Sequence, residues 1–439
     1  MKILFVSLGC DKNLVDSEMM MGLLLKRGYE FTDDETQADV IVINTCGFIN
    51  DAKEESINTI ISMAEYKQDK LKALIVTGCL AERYKNEILQ ELPEIDAIVG
   101  TTAFDTICDV VDDVLANKAH NEFADINRLC RPDSDRIITT GGYYSYLKIA
   151  EGCNKRCTYC SIPLIRGSYR SVPMEELITE AEYLASKGIK ELILVAQETS
   201  LYGIDLYGEK RLPELLNRLC GVSGIEWIRL LYCYPEEITD ELIQTIKNQP
   251  KICKYIDMPI QHAADNIHRK MGRRTNQKDL RDIIGRLRAE IPEICLRTTL
   301  ITGFPGETGE DHEELMNFVD EMEFDRLGVF TYSQEEDTPA ANFENQVDEE
   351  VKLTRRDELM ELQQEISYDK AEQLVGRRLE VIIEGKAADE DVYVGRTYMD
   401  APGVDGYIFI NSEEELMSGD FAFVNVVKAL EYDLIGELC

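Results

Sequence analysis

The sequence lacks any apolar run long enough to cross a bilayer, and it has few basic residues for its size. No stretch approaches the roughly 18 consecutive apolar residues that mark a membrane-spanning helix. Its 47 Lys and Arg residues face 83 Asp and Glu residues, which gives a formal net charge of −36. Such a charge repels phosphate backbones, although it leaves room for a local basic site. An integral membrane protein is therefore excluded, and a general nucleic-acid-binding surface is disfavoured.

We also expect no secretion signal, although the chain has 13 cysteines. The apolar run Ile3–Leu8 is short, and Asp11 and Lys12 follow it closely, so we interpret it as a buried strand rather than a lipoprotein signal. An odd number of cysteines in a large chain favours reduced thiols, and metal sites are then more common than disulfides. We expect a cytoplasmic protein that uses cysteines as metal ligands.

The length of 439 residues suggests about three domains, and we place them at residues 1–122, 140–370 and 371–439. In the first, helical patterns alternate with buried runs, which predicts an α/β domain with a parallel sheet. The predicted strands are Ile3–Leu8, Val40–Ile43 and Ala73–Val76. The segment 122–142, with its proline, glycines and scattered charges, is interpreted as a linker or a crossing strand.

The central domain carries six further βα units, which predict an open, partial (βα)6 TIM-like barrel rather than a closed eightfold one. Its predicted strands are Tyr146–Ala150, Glu191–Ala196, Trp227–Tyr232, Tyr255–Pro259, Cys295–Ile301 and Arg326–Thr331. A long helical pattern over 351–374 follows. Short β runs separated by turn residues then predict a small C-terminal β-barrel. Those runs are Leu379–Ile383, Val392–Arg396, Gly406–Ile410 and Phe421–Val427.

Three cysteines of the central domain lie on one short loop. Cys153, Cys157 and Cys160 have the spacing Cys-x3-Cys-x2-Cys and follow the first predicted strand of that domain. The carboxyl ends of barrel strands form the catalytic face. Three thiolates there can hold three irons of a 4Fe–4S cluster and leave the fourth iron open to a small molecule. A structural zinc ion is the alternative, but it normally has four protein ligands, and a fourth Cys or His at zinc spacing is missing nearby.

Three more cysteines occupy equivalent places in the N-terminal domain. Cys10, Cys46 and Cys79 each follow a predicted strand, and successive members are about one βαβ unit apart. Because ligands of an open α/β sheet gather at the carboxyl ends of its strands, these thiols should converge. The alternative is three ordinary buried cysteines, since free Cys is among the most buried residues. We predict a second cluster with one open iron.

The cysteine loop resembles that of the radical S-adenosylmethionine (SAM) enzymes, in which an aromatic residue, here Tyr159, typically precedes the third Cys. In that superfamily the open iron chelates the amino and carboxylate groups of SAM. With the second cysteine set, nearly the whole chain is similar to the methylthiotransferase family, which joins a three-Cys domain, a radical SAM domain and a TRAM domain. The segments 7–18 and 395–406 resemble the branch that modifies a ribosomal protein. Asp11 is a departure, because proline is common there.

This resemblance implies two 4Fe–4S clusters and SAM as cofactors, with all six cysteines as iron ligands and the loop cysteines at the catalytic centre. An electron passed to SAM would yield a radical that takes a hydrogen from the β-carbon of an aspartate. A second cluster would hold the sulfur, and a second SAM would supply the methyl group. A flavodoxin- or ferredoxin-like electron donor is expected. Tyr159 of the cysteine loop is a candidate for SAM contact, and so are polar residues at strand ends, namely Gln197, Glu198, Arg297 and Thr298.

The charge of the C-terminal domain bears on the substrate. Residues 371–439 contain five basic and 15 acidic residues, a net charge of −10. A TRAM domain that grips tRNA should be basic, whereas an acidic one suits a basic ribosomal protein. We therefore expect a basic small-subunit ribosomal protein as substrate, with tRNA unlikely and no membrane partner. The alternatives are a tRNA adenosine methylthiotransferase and, in another class, a non-catalytic iron–sulfur electron carrier.

Overall fold

The computed structural model describes residues 1–132, 135–387 and 392–439, which form two compact units. The N-terminal unit comprises Met1–Thr139, Ala150–Val172 and Ser333–Ala341. The C-terminal unit comprises Thr140–Ile149, Pro173–Tyr332 and Asn342–Cys439. The three domains predicted above are modules recognised in the sequence, whereas the two units are defined by their compactness. The three-domain division stays a prediction.

The described elements alternate as a βα protein should. The strands are β1 (Lys2–Ser7), β2 (Glu30–Phe31), β3 (Val40–Thr45), β4 (Ala73–Gly78), β5 (Ala97–Val99), β6 (Tyr144–Lys148), β7 (Ala150–Glu151), β8 (Arg170–Ser171), β9 (Glu191–Val195), β10 (Trp227–Leu230), β11 (Ile252–Asp257), β12 (Cys295–Thr302), β13 (Arg326–Thr331), β14 (Arg378–Lys386), β15 (Val392–Thr397), β16 (Ile408–Asn411), β17 (Phe421–Ala429) and β18 (Leu434–Leu438).

The helices are α1 (Asp11–Arg27), α2 (Asn50–Ala64), α3 (Cys79–Tyr84), α4 (Asn86–Glu91), α5 (Ile107–Leu115), α6 (Ile162–Ile165), α7 (Met174–Ser186), α8 (Ile204–Tyr207), α9 (Leu212–Cys220), α10 (Asp240–Asn248), α11 (Asp265–Met271), α12 (Gln277–Glu290), α13 (Gly309–Met322) and α14 (Glu349–Glu372). No helix in the described part of the chain is long and apolar enough to cross a membrane.

A parallel five-stranded sheet of order β2-β1-β3-β4-β5 forms the core of the N-terminal unit. Every residue of β3 and β4 is buried, as expected for strands covered by helices on both faces. Helix α1 ends at Gly28, whose φ of 102° suits the left-handed residue after a helix. The parallel α/β domain predicted from the buried runs is confirmed.

The cysteine loop belongs to the same unit. It leaves from β7 and returns to β8, which pair antiparallel, so the loop begins and ends at neighbouring backbones. The predicted linker runs alongside: Glu122 bridges to Val99, and Thr139 donates its amide to Glu18. Positions 133 and 134 of that linker lie outside the described residues.

An open parallel sheet of order β13-β12-β11-β10-β9-β6 forms the centre of the C-terminal unit. It confirms the partial barrel of six βα units. The closed barrel β14-β15-β16-β18-β17 confirms the predicted C-terminal β-barrel. Strand β18 was not predicted; it is short, and it is defined by pairing with β16 and β17, which local sequence does not encode.

Buried charges join the small barrel to the sheet within this unit. Arg396 of the barrel donates to Glu191 at 2.6 Å, and Arg229 donates to the same carboxylate at 2.8 Å. The side chains of all three residues are fully buried. Arg326 and Asp400 form a second pair at 2.5 Å. The barrel and the sheet therefore share one core.

Candidate metal centres

The three N-terminal cysteines lie at the carboxyl ends of β1, β3 and β4, which are adjacent in the sheet. A Cβ placed on Gly9 would lie 2.8 Å from Cys46 Cβ, and one on Gly47 would lie 2.9 Å from the amide nitrogen of Leu80, beside Cys79. The strand ends are therefore packed against one another. The predicted convergence of Cys10, Cys46 and Cys79 is what the fold produces.

Glycine is required at one of these strand ends for a definite reason. Gly78 has φ 93° and ψ −155°, a conformation essentially reserved for glycine. A Cβ there would lie 2.2 Å from Asn44 Oδ1 and 2.6 Å from the carbonyl oxygen of Thr45. The turn that presents Cys79 therefore excludes any side chain at position 78.

A buried asparagine ties the strand ends to the first turn of α1. Asn13 donates through Nδ2 to the carbonyl oxygens of Leu8 and Thr45, at 3.1 and 3.0 Å. The side chain of Asn44 donates in turn to the carbonyl oxygen of Asn13 at 2.9 Å. Because Asn13 and Asn44 are buried, losing one partner would leave a polar group unsatisfied. These hydrogen bonds hold the backbone at the strand ends, next to the cysteines, in one geometry.

The thiols of Cys46 and Cys79 lie in surroundings that oppose their ionisation in the absence of a metal. Burial raises the pKa of Cys46, and it raises the pKa of Cys79 to about 12, with the Arg166 guanidinium opposing the shift in both. The neighbouring thiols raise the pKa of Cys79 further, which places all three cysteines within electrostatic range of one another. A bound metal deprotonates such thiols outright. The donor set therefore fits an iron–sulfur group at this edge.

Among the described residues, no three His, Cys, Asp or Glu side chains are gathered as ligands of one metal ion. A cubane cluster holds its thiolates farther apart than one ion does, since each thiolate binds a different iron.

The cysteine loop of residues 153–160 has its own backbone constraints. Cys153 and Cys157 are buried and Cys160 is partly exposed. The Cys153 amide donates to the carbonyl oxygen of Gly167 at 3.1 Å, and the Lys155 amide donates to Cys153 Sγ at 3.5 Å. An amide donated to sulfur stabilises the thiolate form. The loop thus presents three thiols from a short, internally bonded segment.

The strand-end residues predicted to contact SAM lie in the C-terminal unit, where their hydrogen bonds are defined. Gln197 and Glu198 follow β9, and Glu198 is fully buried, where it accepts the Ser200 amide at 3.2 Å. Thr298 donates to the carbonyl oxygen of Met258 at 2.9 Å. These contacts shape the loops at the strand ends. SAM contact by these residues stays a prediction.

Arg297, the fourth of these candidates, is engaged in ion pairs. Its guanidinium binds Asp257 at 2.9 Å and Asp405 of the small barrel at 3.2 Å. Tyr255 donates to the same Asp405 at 2.8 Å. The observed contacts of Arg297 therefore join the sheet to the barrel.

Sequence reasoning missed three residues beside the cysteines. Arg166 donates to Cys79 Sγ at 3.4 Å, and Arg83 donates to the carbonyl oxygen of Gly47 at 2.9 Å. Glu335 accepts from Arg83 at 2.6 Å. Arg83 and Glu335 are 252 positions apart, and Arg166 and Cys79 are 87 positions apart, so local sequence could not indicate these contacts.

Family models divide the chain into three matched segments. Residues 2–100 match uncharacterized protein family UPF0004, residues 147–319 match the Radical SAM superfamily, and residues 375–439 match the TRAM domain. Radical SAM enzymes use SAM and a 4Fe–4S cluster, so these two cofactors come with the match.

Two solved structures share the fold at low identity. The radical SAM methyltransferase TsrM from Kitasatospora setae is 14% identical, with a TM-score of 0.57 over 89% of this chain and 79% of that one. The cobalamin-dependent SAM radical enzyme OxsB gives a TM-score of 0.52 at 13% identity, over 82% of this chain and 56% of that one.

Curated relatives are far more similar. Proteins named ribosomal protein uS12 methylthiotransferase RimO are 62% identical in Lachnoclostridium phytofermentans and 51% identical in Acetivibrio thermocellus. The first alignment covers 99% of both chains, and the second covers 100% of this chain and 98% of the relative. The chain belongs to the RimO family of radical SAM methylthiotransferases.

Proposed function

We propose that this enzyme adds a methylthio group to the β-carbon of an aspartate in ribosomal protein uS12. The observation that carries the proposal is full-length identity of up to 62% to relatives named for that substrate. The chain also carries both cysteine sets that this chemistry would use. The sequence prediction of a ribosomal-protein substrate and the names of the relatives agree.

The proposed reaction accounts for the presence of two cysteine sets. The C–H bond of an aspartate β-carbon has no useful acidity, so a general base cannot activate it. SAM bound to a 4Fe–4S cluster would supply radical chemistry that can activate this bond, while the protein provides binding and orientation. Cys153, Cys157 and Cys160 would hold that cluster, and Tyr159 lies within their loop.

The second cysteine set would hold an auxiliary 4Fe–4S cluster. Cys10, Cys46 and Cys79 come from three separate strand ends, and they offer three thiols where a cubane has four irons. One iron would stay open to a sulfur atom. The thiols of Cys46 and Cys79 are buried, which protects such a sulfur from water and oxidants.

The remaining partners follow from this chemistry. Reductive cleavage of SAM needs a one-electron donor of the flavodoxin or ferredoxin class. A ribosomal substrate places the enzyme in the cytoplasm. The net charge of −10 on residues 371–439 suits a basic protein, and Coulomb attraction over exposed charges is screened within about 8–10 Å at moderate salt.

The deciding experiment offers purified uS12 and bulk tRNA separately to the anaerobically reconstituted, reduced enzyme with SAM. Mass spectrometry should locate a methylthio group on one aspartate of uS12 and none on tRNA. A methylthiolated adenosine without modified uS12 would reject the proposal in favour of the tRNA enzyme. Failure to form 5′-deoxyadenosine at all would instead favour the electron-carrier class.

Variants separate the two cysteine sets. Cys46→Ala should still cleave SAM to 5′-deoxyadenosine but form no methylthio product, whereas Cys157→Ala should abolish both activities. Replacing Cys153, Cys157 and Cys160 together with Ala should remove about half of the iron. Full methylthiolation by Cys46→Ala would contradict the role of the second set.

The charge argument has a test that keeps the fold intact. Glu413, Glu414 and Glu415 are all exposed on the C-terminal barrel, so changing all three to Gln removes charge with little structural cost. We expect weaker binding to uS12 at low salt, mainly through a slower association rate, and a smaller difference at moderate salt. Unchanged association at low salt would show that these carboxylates do not steer the substrate.

A further inference from the structure

A single buried guanidinium connects the two cysteine sites of the N-terminal unit. Arg166 is 2% exposed and lies directly after α6. One arm of its fork donates to Cys79 Sγ at 3.4 Å and to Asn13 Oδ1. The other arm donates to Asp16 at 2.7 Å and to Glu151 at 3.3 Å. Glu151 is the second residue before the first cysteine of the loop.

The contact between Arg166 and Cys79 Sγ is not needed to neutralise the positive charge of the guanidinium. Asp16 and Glu151, both buried, already supply two negative charges for one arginine. Burying a charge is costly unless partners compensate it, and here the carboxylates do so. The fork is nevertheless turned so that one of its donors points at Cys79 Sγ. A planar guanidinium can satisfy all these acceptors at once, and a lysine cannot.

We propose that Arg166 is a positioning residue for the auxiliary cluster, which it tunes through the thiolate of Cys79. Hydrogen bonds to the ligand sulfurs and nearby positive charge are among the factors that set the potential of an iron–sulfur cluster. Arg166 supplies both and raises that potential. Through Glu151 it also fixes Cys79 relative to the start of the radical SAM cysteine loop. This inference rests on the second cluster of the proposed function.

The test isolates the auxiliary cluster. The full chain carrying Cys153→Ala, Cys157→Ala and Cys160→Ala is reconstituted anaerobically, and its iron content and midpoint potential are measured. Adding Arg166→Gln should shift the potential to more negative values. Arg166→Lys, which keeps the charge but loses the fork, should give a smaller shift in the same direction. Glu151→Gln removes a negative charge beside the guanidinium and should shift the potential the other way.

A matched control is Arg27→Gln. Arg27 lies in the same unit, but it is half-exposed and paired with Asp109 and Asp112. Its removal should leave the potential unchanged. A purely structural role of Arg166 would lower thermal stability without moving the potential.

The outcomes distinguish the two proposals. If the triple Cys variant binds no iron, the second cluster of the proposed function is wrong. If it binds iron and neither Arg166→Gln nor Arg166→Lys changes the potential, the tuning role is overturned while the cluster stands. Should Arg166→Gln fail to retain iron, the Arg166→Lys and Glu151→Gln variants decide, and shifts of the same sign in both would overturn the inference.

Discussion

At the scale of single residues, Gly78 is a position where one methyl group should do serious harm. Gly78→Ala forces an L side chain into φ 93° and against Asn44 and Thr45. We expect a loss of about 2–4 kcal/mol in the free energy of unfolding, from backbone strain and collision together. Iron bound by Cys79 should fall, while SAM cleavage persists. Denaturant titration and iron analysis measure the two effects.

The control for this prediction is Gly285→Ala. Gly285 lies in the middle of α12, and a Cβ there meets nothing within 4 Å. Alanine in a helix interior is better than glycine by up to about 1 kcal/mol, so this variant should be as stable as the parent or slightly more. If both variants lose stability equally, the strain argument for Gly78 fails.

A buried histidine of the C-terminal unit predicts acid sensitivity. His262 is fully buried, accepts the Ala264 amide through Nδ1 at 3.0 Å, and burial lowers its pKa from 6.5 to about 3. Between those values the unfolded state binds more protons. The stabilising contribution is therefore complete above pH 6.5 and is lost as the pH falls towards 3.

We expect the loss from His262 to reach roughly 3 kcal/mol at about pH 4. His262→Gln should flatten the fall in thermal stability between about pH 6.5 and about pH 4, even if its stability at neutral pH is lower. Melting temperatures across this range provide the measurement. A slope identical to that of the parent would show that His262 does not titrate in this way.

At the scale of elements, the segment Ser333–Ala341 connects several elements of the N-terminal unit through hydrogen bonds and ion pairs. Glu335 is buried and accepts from Arg83 at 2.6 Å and from Lys53 at 3.0 Å. Burial alone would raise the pKa of Glu335, but hydrogen bonds from Ser333, Lys53 and Arg83 lower it. Further along, the Ala340 amide donates to the carbonyl oxygen of Thr158 at 2.9 Å. One segment thus holds helices α2 and α3 and the cysteine loop.

Glu335→Gln should therefore cost about 3 kcal/mol, because it leaves two partly buried cations poorly compensated. Faster hydrogen exchange at the Ala340 amide should accompany the loss. Glu336→Gln is the matched control: its side chain is 61% exposed, so less than about 1 kcal/mol is expected. Equal losses of unfolding free energy in the two variants would argue against a specific stabilising role of the Glu335 carboxylate.

At the scale of the whole molecule, the small barrel is part of the core of its unit. Trp227 of the sheet packs edge-on against Phe421 of the barrel, with 5.0 Å between ring centroids. Met399 and Ala401 are buried in the same cluster. Removing residues 375–439 would expose this surface and leave Glu191 and Arg229 without Arg396.

Deletion of residues 375–439 should consequently lower the melting temperature sharply and promote aggregation, although all six proposed iron ligands precede the cut. Light scattering and thermal melts test this expectation. A soluble, monodisperse truncation that melts like the full chain would show that the shared core contributes little. The substrate-binding role of the barrel is better tested by the surface charge variants.

Local sequence was enough to predict the strand and helix alternation, the open sheet and the small barrel, whereas the two cysteine sets as iron ligands stay a prediction. These features follow from hydrophobic periods of two and 3.6 residues and from the rule that loops at the carboxyl ends of parallel strands carry ligands. Cys10, Cys46 and Cys79 could be grouped because each follows a recognisable buried strand. The pattern within each short segment carried the necessary information there.

Which charged side chains meet was set by the folded molecule instead. Arg166 finds Asp16 across 150 positions, Arg396 finds Glu191 across 205, and Arg297 meets Asp405 across 108. Strand β18 likewise exists through its pairing with β16 and β17. Ion pairs and strand pairs of this kind depend on distances between segments that are remote in the chain. Periodicity constrains neighbours in sequence and carries no information about such distances, so the surroundings of the cysteines became visible only in the tertiary structure.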